Sequence, residues 1–267
     1  MQFFIFLIFV FFLNSSSAIA KNVVISDIDD TLKVANVASK VDSVISAFED
    51  HRYFVGMAQI FRAIKSKKIP SEFHYVSLAP EFLMYQQHKS FIKNHGFPLT
   101  QLHLNPSTQQ NPKIKIQIIK KIIDETQPST VIMFGDNGQM DAALYSEIQR
   151  QYPSISFLIF IHEVQSKIRK AKYPTQKNQV GYVTSLELAH QLIQNDVIDS
   201  DVYGQIENLV YTRMQYAQFY ERLGQYVIPA WMDCRDFRWP ESFPVVSEKA
   251  IAIKKNINTR CQLAPKN

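Results

Sequence analysis

The chain has 267 residues and a formal net charge of +5, with 29 Lys and Arg residues against 24 Asp and Glu residues. This length is enough for one α/β domain and an extension. The two cysteines, Cys234 and Cys261, are too few and too far apart for a zinc site of the usual spacing, and the sequence leaves open whether they pair. The positive balance favours an anionic partner, although most basic runs are solvated helix faces. We expect no nucleic acid among the partners.

The first twenty residues predict a signal peptide. Residues 3–13 form the apolar run FFIFLIFVFFL, polar residues follow, and the segment ends in Ala18-Ile19-Ala20. The run is shorter than the roughly 20 residues that a helix needs to cross a bilayer. It lacks the usual Lys or Arg before the apolar core, and a buried strand or core helix is the alternative. We therefore expect residues 1–20 to be removed and the protein to be exported, either to a periplasm or out of the cell.

Strand and helix patterns alternate along the next part of the chain. Four apolar runs rich in β-branched or aromatic residues predict strands at residues 22–26, 73–76, 130–134 and 156–161. Apolar residues at helical spacing predict helices over residues 55–65, 81–94, 114–124 and 140–152. This alternation predicts an α/β fold with a doubly wound parallel sheet. We assign residues 21–199 to this domain and residues 200–267 to a C-terminal extension that is first helical and then irregular.

Polar side chains follow three of the predicted strands. Asp27 and Asp29 come after the first strand, Ser77 after the second and Asp136 after the third, with Asp141 five residues further on. Ligands of parallel α/β sheets bind outside the carboxyl ends of the strands, so we expect these side chains to meet at one edge. Asp27 and Asp29 are two residues apart and would point the same way from an extended backbone. An Asp-rich turn without function is the alternative, and the placement of Asp136 argues against it.

Carboxylates gathered at one edge repel one another unless a cation lies among them. Mg²⁺ suits this place because it prefers oxygen ligands and is typically held by one or two carboxylates together with a substrate phosphate. We predict Asp27, Asp29 and Asp136 as its ligands. Asp141 is expected to orient the metal-bound waters, and Thr31 is a further supporting residue in the loop after the first strand.

This set of residues predicts phosphoryl transfer. Asp27 would attack phosphorus to form an aspartyl-phosphate, which divides one difficult displacement into two easier ones. Asp29 would protonate the leaving oxygen and then deprotonate the attacking water. Lys115 and Ser77 would hold phosphate oxygens, and the ammonium of Lys115 would balance the charge of the nucleophile.

Two assignments have competitors within the sequence. Lys113 is the alternative to Lys115, which is favoured only by its spacing from Asp136. His162 also ends a predicted strand, and we expect a structural rather than a catalytic role for it.

Five segments stand out by their combination: residues 26–33 (SDIDDTLK), 56–58 (GMA), 73–80 (FHYVSLAP), 96–98 (GFP) and 134–145 (FGDNGQMDAALY). The first contains a motif that resembles the nucleophile motif of the haloacid dehalogenase superfamily of phosphohydrolases. Ser77, Lys115 and Gly135-Asp136 fall where the later motifs of that superfamily should lie. Taken together, the segments resemble the catalytic domain of the actin-patch-associated phosphatidate phosphatase family, over roughly residues 22–165.

The resemblance implies Mg²⁺-dependent hydrolysis of phosphatidate to diacylglycerol and phosphate, with Asp27 as nucleophile, Asp29 as acid and base, and Asp136 as metal ligand. The chain departs from the family pattern at Leu78-Ala79, Asn105 and His162, where a polar pair, a basic residue and Arg are usual. The segments between the motifs are short, which implies a small or absent cap and an open site. An open site suits a membrane-embedded lipid and equally a phosphoprotein.

Two other functions fit the same residues. One is hydrolysis of small soluble phosphomonoesters, which would use the same catalytic groups. The other is a non-catalytic binding protein on this fold, which has no need of a second carboxylate aimed at a leaving group. The sequence does not indicate an oligomeric state.

Apolar residues recur at helical spacing near the C-terminus: Ile206, Leu209, Val210, Ala217, Tyr220, Leu223 and Val227. We expect a helix that packs on the catalytic domain. The alternative is an amphipathic helix in peripheral contact with a membrane surface, helped by the neighbouring tyrosines and extended by Trp231, Phe237 and Trp239.

Overall fold

The computed structural model describes residues 21–36, 50–67, 71–109, 111–166, 171–235, 237–239 and 247–263. The signal peptide predicted for residues 1–20 lies outside these ranges, so it stays a prediction.

The described residues alternate between strands and helices over most of their length. In chain order the elements are β1 (Asn22–Ser26), β2 (Tyr53–Phe54), α1 (Met57–Ser66), β3 (Ser71–Pro80), α2 (Glu81–Asn94), β4 (Gln101–Asn105), α3 (Pro112–Thr126), β5 (Thr130–Asp136), α4 (Asp141–Gln151), β6 (Ser156–His162), β7 (Val180–Tyr182), α5 (Ser185–Gln194), α6 (Asp201–Gln215), α7 (Ala217–Arg222), β8 (Gln225–Tyr226) and α8 (Glu248–Gln262). Six strands form one parallel sheet in the order β4-β3-β1-β5-β6-β7, and β2 pairs with β8 in a separate parallel ribbon. The predicted α/β fold with a doubly wound parallel sheet is confirmed.

Burial on both faces of the sheet explains why the strands read as continuous apolar runs. Successive side chains of β1 point to opposite faces, so Val23 and Ile25 pack with the apolar residues of α3 and α4, whereas Val24 packs on the other side. That other side is covered by α1, α2, α5, α6 and α8, including Phe61 of α1 and Ile206 of α6. The sheet is therefore the central layer between two sets of helices.

The order of the strands places a crevice at the middle of the sheet. From β1 the chain moves outward through β3 to β4, and it then returns to the other side of β1 to form β5, β6 and β7. Loops that leave β1 and its neighbour β5 therefore diverge, which is the topological position where α/β sheets bind ligands.

The predicted strands and helices are present in the structure, with small changes in length. The strand predicted at residues 73–76 extends over Ser71–Pro80, and the helix predicted at residues 81–94 is α2. Neither α5 nor α8 was predicted from the sequence. A signal for α5 was present, because Thr184 and Glu187 form a capping box at its start.

The C-terminal apolar residues were expected to form a helix, and the structure divides this segment into two helices. Tyr216 has φ −119° and ψ 40°, which separates α6 from α7. Ile206 and Val210 of α6 are buried in the main core, so the expected packing of this segment is confirmed. The region expected to be irregular contains α8, and a disulfide joins Cys234 to Cys261 of that helix. No helix in the described part of the chain is long and apolar enough to cross a membrane.

Candidate active site

Three neighbouring strands bring the predicted site residues to the carboxyl edge of the sheet. Ser26 of β1 is in register with Tyr75 of β3 and with Phe134 of β5. The backbone N–H of Asp27 donates to the carbonyl oxygen of Phe134 at 2.9 Å, which fixes this residue just beyond β1. Asp27, Ser77 and Asp136 therefore follow the same level of three adjacent strands, as parallel register requires.

A buried lysine joins two of the carboxylates. The Nζ atom of Lys115, in the first turn of α3, lies 2.7 Å from Oδ1 of Asp27 and 2.6 Å from Oδ1 of Asp141. All three side chains are buried. Lys113, the competing assignment, is exposed on the opposite side of the helix, so the structure brings Lys115 into the site and leaves Lys113 outside.

The backbone after β5 holds Asp136 in a fixed orientation. Oδ1 of Asp136 accepts hydrogen bonds from the N–H groups of Gly138 at 2.7 Å and Gln139 at 2.9 Å. Gly135 allows the close approach of α4, because a Cβ atom there would lie 2.7 Å from Asp141 and 2.8 Å from the ring of Tyr145. The other oxygen, Oδ2 of Asp136, is buried and has no hydrogen-bond partner among the described residues.

Asp27, Asp136 and Asp141 form an acidic cluster whose ligand atoms lie within 4.8 Å of one another. The prediction named Asp29 as the third metal ligand, whereas the structure places Asp141 beside the other two. Oδ2 of Asp27, like Oδ2 of Asp136, is buried and makes no hydrogen bond within the described ranges. Two buried acceptor oxygens without donors fit a hard divalent cation such as Mg²⁺.

The charges in this cluster do not balance. Burial raises the pKa of both Asp27 and Asp136 well above its usual value, and the neighbouring carboxylates add to the shift, although Lys115 opposes it. Burial works against the charge of Lys115, but Asp141 and Asp27 outweigh it and hold the pKa of this ammonium well above its ordinary value. We take Lys115 as charged because it contacts two carboxylates. Three carboxylates and one ammonium leave two uncompensated negative charges, which a divalent cation neutralises.

Asp29 is not among the three carboxylates of the acidic cluster, although its charge helps to raise the pKa of Asp27, and it lies beside a histidine that was not predicted from the sequence. Nε2 of His88, on α2, is 3.6 Å from Oδ2 of Asp29. His88 is completely buried, and neither of its ring nitrogens has a hydrogen-bond partner in the part of the chain that the structure describes. Burial lowers the pKa of His88, so the neutral ring is favoured, and its Nε2 is the ring nitrogen that faces the carboxylate. Nothing in the local sequence marks this residue, because only the packing of α2 brings it to Asp29.

The remaining predicted residues lie in the same region. Oγ of Ser77 accepts a hydrogen bond from the N–H of Ala79 at 3.1 Å, and the side chain is buried. Thr31 is buried, and its hydroxyl makes no hydrogen bond to any described residue. Both hydroxyls therefore lie at the level of the site, and neither takes part in the hydrogen bonds described above between its other side chains.

Asp30 and His162 shape the loop that follows β1. Asp30 has φ +56°, and its Oδ1 accepts hydrogen bonds from the N–H groups of Ala35 at 2.9 Å and Asn36 at 2.8 Å. The ring of His162 lies between the carbonyl oxygens of Asp30 at 2.7 Å and Val183 at 3.1 Å. These contacts fit the structural role expected of His162. Sequence reasoning missed Asp30 as the residue that closes the loop.

The doubly wound sheet and a buried carboxylate–lysine cluster at its switch point define an α/β protein with a candidate metal-binding site. The family model described as phosphatidate phosphatase APP1, catalytic domain, matches residues 22–163. This is more than half of the chain, and the chain belongs to this family, which confirms the resemblance seen in the sequence. Membership indicates a phosphatase of a generally metal-dependent kind. A comparison with curated proteins finds no match.

Proposed function

We propose that the protein is a Mg²⁺-dependent phosphatidate phosphatase that forms an aspartyl-phosphate on Asp27. The observation that carries this proposal is the environment of the Asp27 carboxylate. One of its oxygens is held by Lys115 at 2.7 Å, and the other is buried without a partner among the described residues, beside Asp136. The family match supports phosphatidate as the substrate.

In the first step, a carboxylate oxygen of Asp27 attacks phosphorus, and the bond between phosphorus and the glycerol oxygen breaks. Asp29 gives a proton to that oxygen, and diacylglycerol leaves. Lys115 keeps Asp27 oriented and, as a fixed positive charge, stabilises the phosphate oxygens. The hydroxyl of Ser77 would donate to the same oxygens.

In the second step, Asp29 takes a proton from a water molecule, and the water oxygen attacks the phosphorus of the aspartyl-phosphate. The bond between phosphorus and Asp27 breaks, which releases phosphate and restores the carboxylate. Asp27 and Asp136 would hold Mg²⁺ through their partnerless oxygens, with Asp141 adjacent. The bound ion would neutralise the charge that develops on the phosphoryl oxygens.

Two further assignments belong to the proposal. The DIDDT segment at residues 27–31 supports membership of the haloacid dehalogenase superfamily. Export is supported by the N-terminal sequence pattern and by the disulfide between Cys234 and Cys261, because disulfides persist mainly in oxidising compartments.

The test measures phosphate release from phosphatidate in mixed micelles and from a soluble phosphomonoester, with Mg²⁺ and with EDTA. We expect Mg²⁺-dependent release that favours phosphatidate. Asp27→Asn should lower turnover by roughly three orders of magnitude or more while the fold is retained, as for other nucleophile replacements. Asp196→Asn is the matched control, because Asp196 is an exposed carboxylate paired with Lys67 away from the site.

Each outcome separates one part of the proposal from the rest. Wild-type turnover by Asp27→Asn would remove this residue from the nucleophile role. Release from the soluble ester alone would keep the mechanism and discard phosphatidate. Release from neither substrate would favour another phosphorylated compound or a binding protein.

A further inference from the structure

The first turn of α2 carries two large apolar side chains that are exposed to solvent, and we call them the apolar tip. The exposed fraction is 76% for Phe82 and 43% for Leu83. The rest of α2 is anchored through Met84, Phe91 and Ile92, which are buried. An exposed phenylalanine next to an exposed leucine makes this end of the helix a candidate contact surface.

The geometry of β3 and α2 places the apolar tip beyond the active site. β3 continues for three residues past Ser77 and ends at Pro80. At the usual rise of a strand, it therefore extends about 10 Å beyond Ser77. α2 then runs back, and His88 lies beside Asp29. Phe82 precedes His88 by six residues, so it lies about 9 Å further out along the helix axis. The apolar tip thus projects from the carboxyl edge next to the catalytic groups.

The position of the apolar tip can be related to the chemistry of the substrate. This relation rests on the phosphatidate substrate proposed above. In phosphatidate the phosphate is bonded to a glycerol whose other two oxygens carry the acyl chains. Phosphorus must reach Asp27, which is buried at the carboxyl edge. The acyl chains begin only a few bonds away, so they must leave the protein across that edge, where the apolar tip lies.

The charges along α2 fit an anionic lipid surface. Tyr85, Lys89 and Lys93 follow Phe82 at intervals of three, seven and eleven residues, which places them on one helix face. Both lysines are exposed, and Nζ of Lys89 lies 5.6 Å from the centre of the Tyr85 ring. Glu81 is the acidic exception at the helix start, where the helix dipole favours a carboxylate. In a membrane interface, the anionic head groups lie outside the apolar acyl chains. The apolar residues at the start of α2 and the lysines further along the helix match this order.

We propose that Phe82 and Leu83 insert into the surface of a phosphatidate-containing membrane, and that Lys89 and Lys93 contact the phosphate head groups behind them. The inserted side chains hold the carboxyl edge of the sheet against the bilayer while a substrate molecule enters. This surface differs from the C-terminal helix that the sequence suggested for membrane contact, because that helix is packed into the core through Ile206 and Val210.

The test compares the double variant Phe82→Ser/Leu83→Ser with two controls that also remove exposed apolar side chains. Leu99→Ser changes a residue that is 61% exposed beyond the opposite end of α2. Phe219→Ser/Leu223→Ser removes two exposed side chains at and just after α7. Binding is measured by flotation with phosphatidylcholine vesicles with and without phosphatidate, with Asp27→Asn added to every variant to prevent turnover. Kinetics without that change use the same phosphatidate vesicles and a soluble phosphomonoester.

We expect Phe82→Ser/Leu83→Ser to lower partitioning onto phosphatidate vesicles at least about tenfold, because two large apolar side chains leave the membrane. Its kcat/KM on vesicles should fall in parallel, with turnover of the soluble ester within about twofold of wild type. Both controls should bind vesicles like the wild type. Lys89→Ala/Lys93→Ala should weaken binding to phosphatidate vesicles more than binding to pure phosphatidylcholine.

Several results would overturn the inference. One is unchanged vesicle binding by the double variant, and another is an equal loss in either control. A parallel loss on the soluble ester would show that the two residues support the site itself. Failure of the wild type to float would also exclude docking, whereas flotation without phosphatidate hydrolysis would retain docking and reject the proposed substrate.

Discussion

At Asp136, the burial of a charged group in the site opposes the stability of the fold. It is completely buried, its pKa is raised by burial and by Asp141 and Asp27, and one of its oxygens makes no hydrogen bond within the described residues. A buried carboxylate that lacks a compensating charge is destabilising, and a bound cation supplies that charge. The residue therefore links metal binding to the stability of the fold.

This linkage predicts how stability depends on pH. A carboxyl group with a raised pKa in the folded state holds a proton there that the unfolded state has already released. Stability of the metal-free protein should therefore fall as pH rises above the ordinary carboxyl pKa of 3.8, through the raised values of Asp27 and Asp136. Mg²⁺ should oppose this loss, and its stabilising effect should grow with pH. Thermal unfolding between pH 4 and pH 8, with Mg²⁺ and with EDTA, measures both trends.

The variant Asp136→Asn is the control for that prediction. An amide can still accept the hydrogen bonds of Gly138 and Gln139 but carries no charge. We expect it to raise the stability of the metal-free protein by about 1 kcal/mol or more at neutral pH, and to remove the response to Mg²⁺. An undiminished response to Mg²⁺ would exclude Asp136 as a ligand.

His88 is expected to position Asp29 for proton transfer. In His88→Phe, packing is largely kept but the ring nitrogen that faces Asp29 is lost. We expect kcat/KM to fall about tenfold for an alkyl phosphate such as glycerol 3-phosphate, and much less for p-nitrophenyl phosphate, whose leaving group needs little protonation. His88→Gln should recover part of the loss. An equal loss on both substrates would show that His88 serves the fold alone.

At the scale of single elements, the register of α3 decides which lysine enters the site. Asn111 caps the helix and Pro112 begins it. Lys115 precedes Ile119 and Ile122 by four and seven residues, so it belongs to the buried stripe of the helix. Helical periodicity alone could therefore have favoured Lys115 over Lys113, although the sequence analysis used only the spacing from Asp136.

The disulfide fastens α8 to the segment that precedes it. Cys234 and Cys261 are 27 residues apart, and closing a loop of that length in the unfolded chain corresponds to about 3.5 kcal/mol. We expect Cys234→Ser/Cys261→Ser to lower the free energy of unfolding by about that amount in urea denaturation. Turnover of a soluble ester should persist below the unfolding transition. A midpoint equal to that of the oxidised wild type would contradict this prediction.

At the scale of the whole molecule, the C-terminal segment shares the main core. Ile206 and Val210 of α6 and Ile253 and Ile257 of α8 are buried in the same cluster as Val24 of the central strand. The division of the chain at residues 199 and 200 remains a prediction from the sequence, and truncation tests it directly.

We expect a chain that ends at residue 199 to be unfolded or aggregated. Each buried isoleucine or valine contributes about 1.5–3 kcal/mol, and the whole fold has a net stability of only about 5–15 kcal/mol. Circular dichroism during thermal unfolding, with the full chain as control, measures the effect. A cooperative transition near that of the full chain would show instead that the catalytic domain folds independently.

Local patterns in the sequence were sufficient for much of this protein. Alternating strand and helix patterns indicated the parallel sheet, because both faces of its strands are buried and give continuous apolar runs. The positions of Asp27, Ser77 and Asp136 at the ends of strands indicated one shared edge, since parallel strands all deliver their carboxyl ends there. The family resemblance depended on the same short segments.

Other features required the tertiary structure, because they depend on residues far apart in the chain. His88 meets Asp29, and Asp141 joins Asp27 through Lys115, only after α2, α3 and α4 have packed on the sheet. The break at Tyr216 and the pairing of Cys234 with Cys261 likewise follow from how the C-terminal segment fits the core. The sequence by itself determined which groups were available and at which edge they lie. The packing of the helices decided which of them touch, because those contacts join residues that no local periodicity relates.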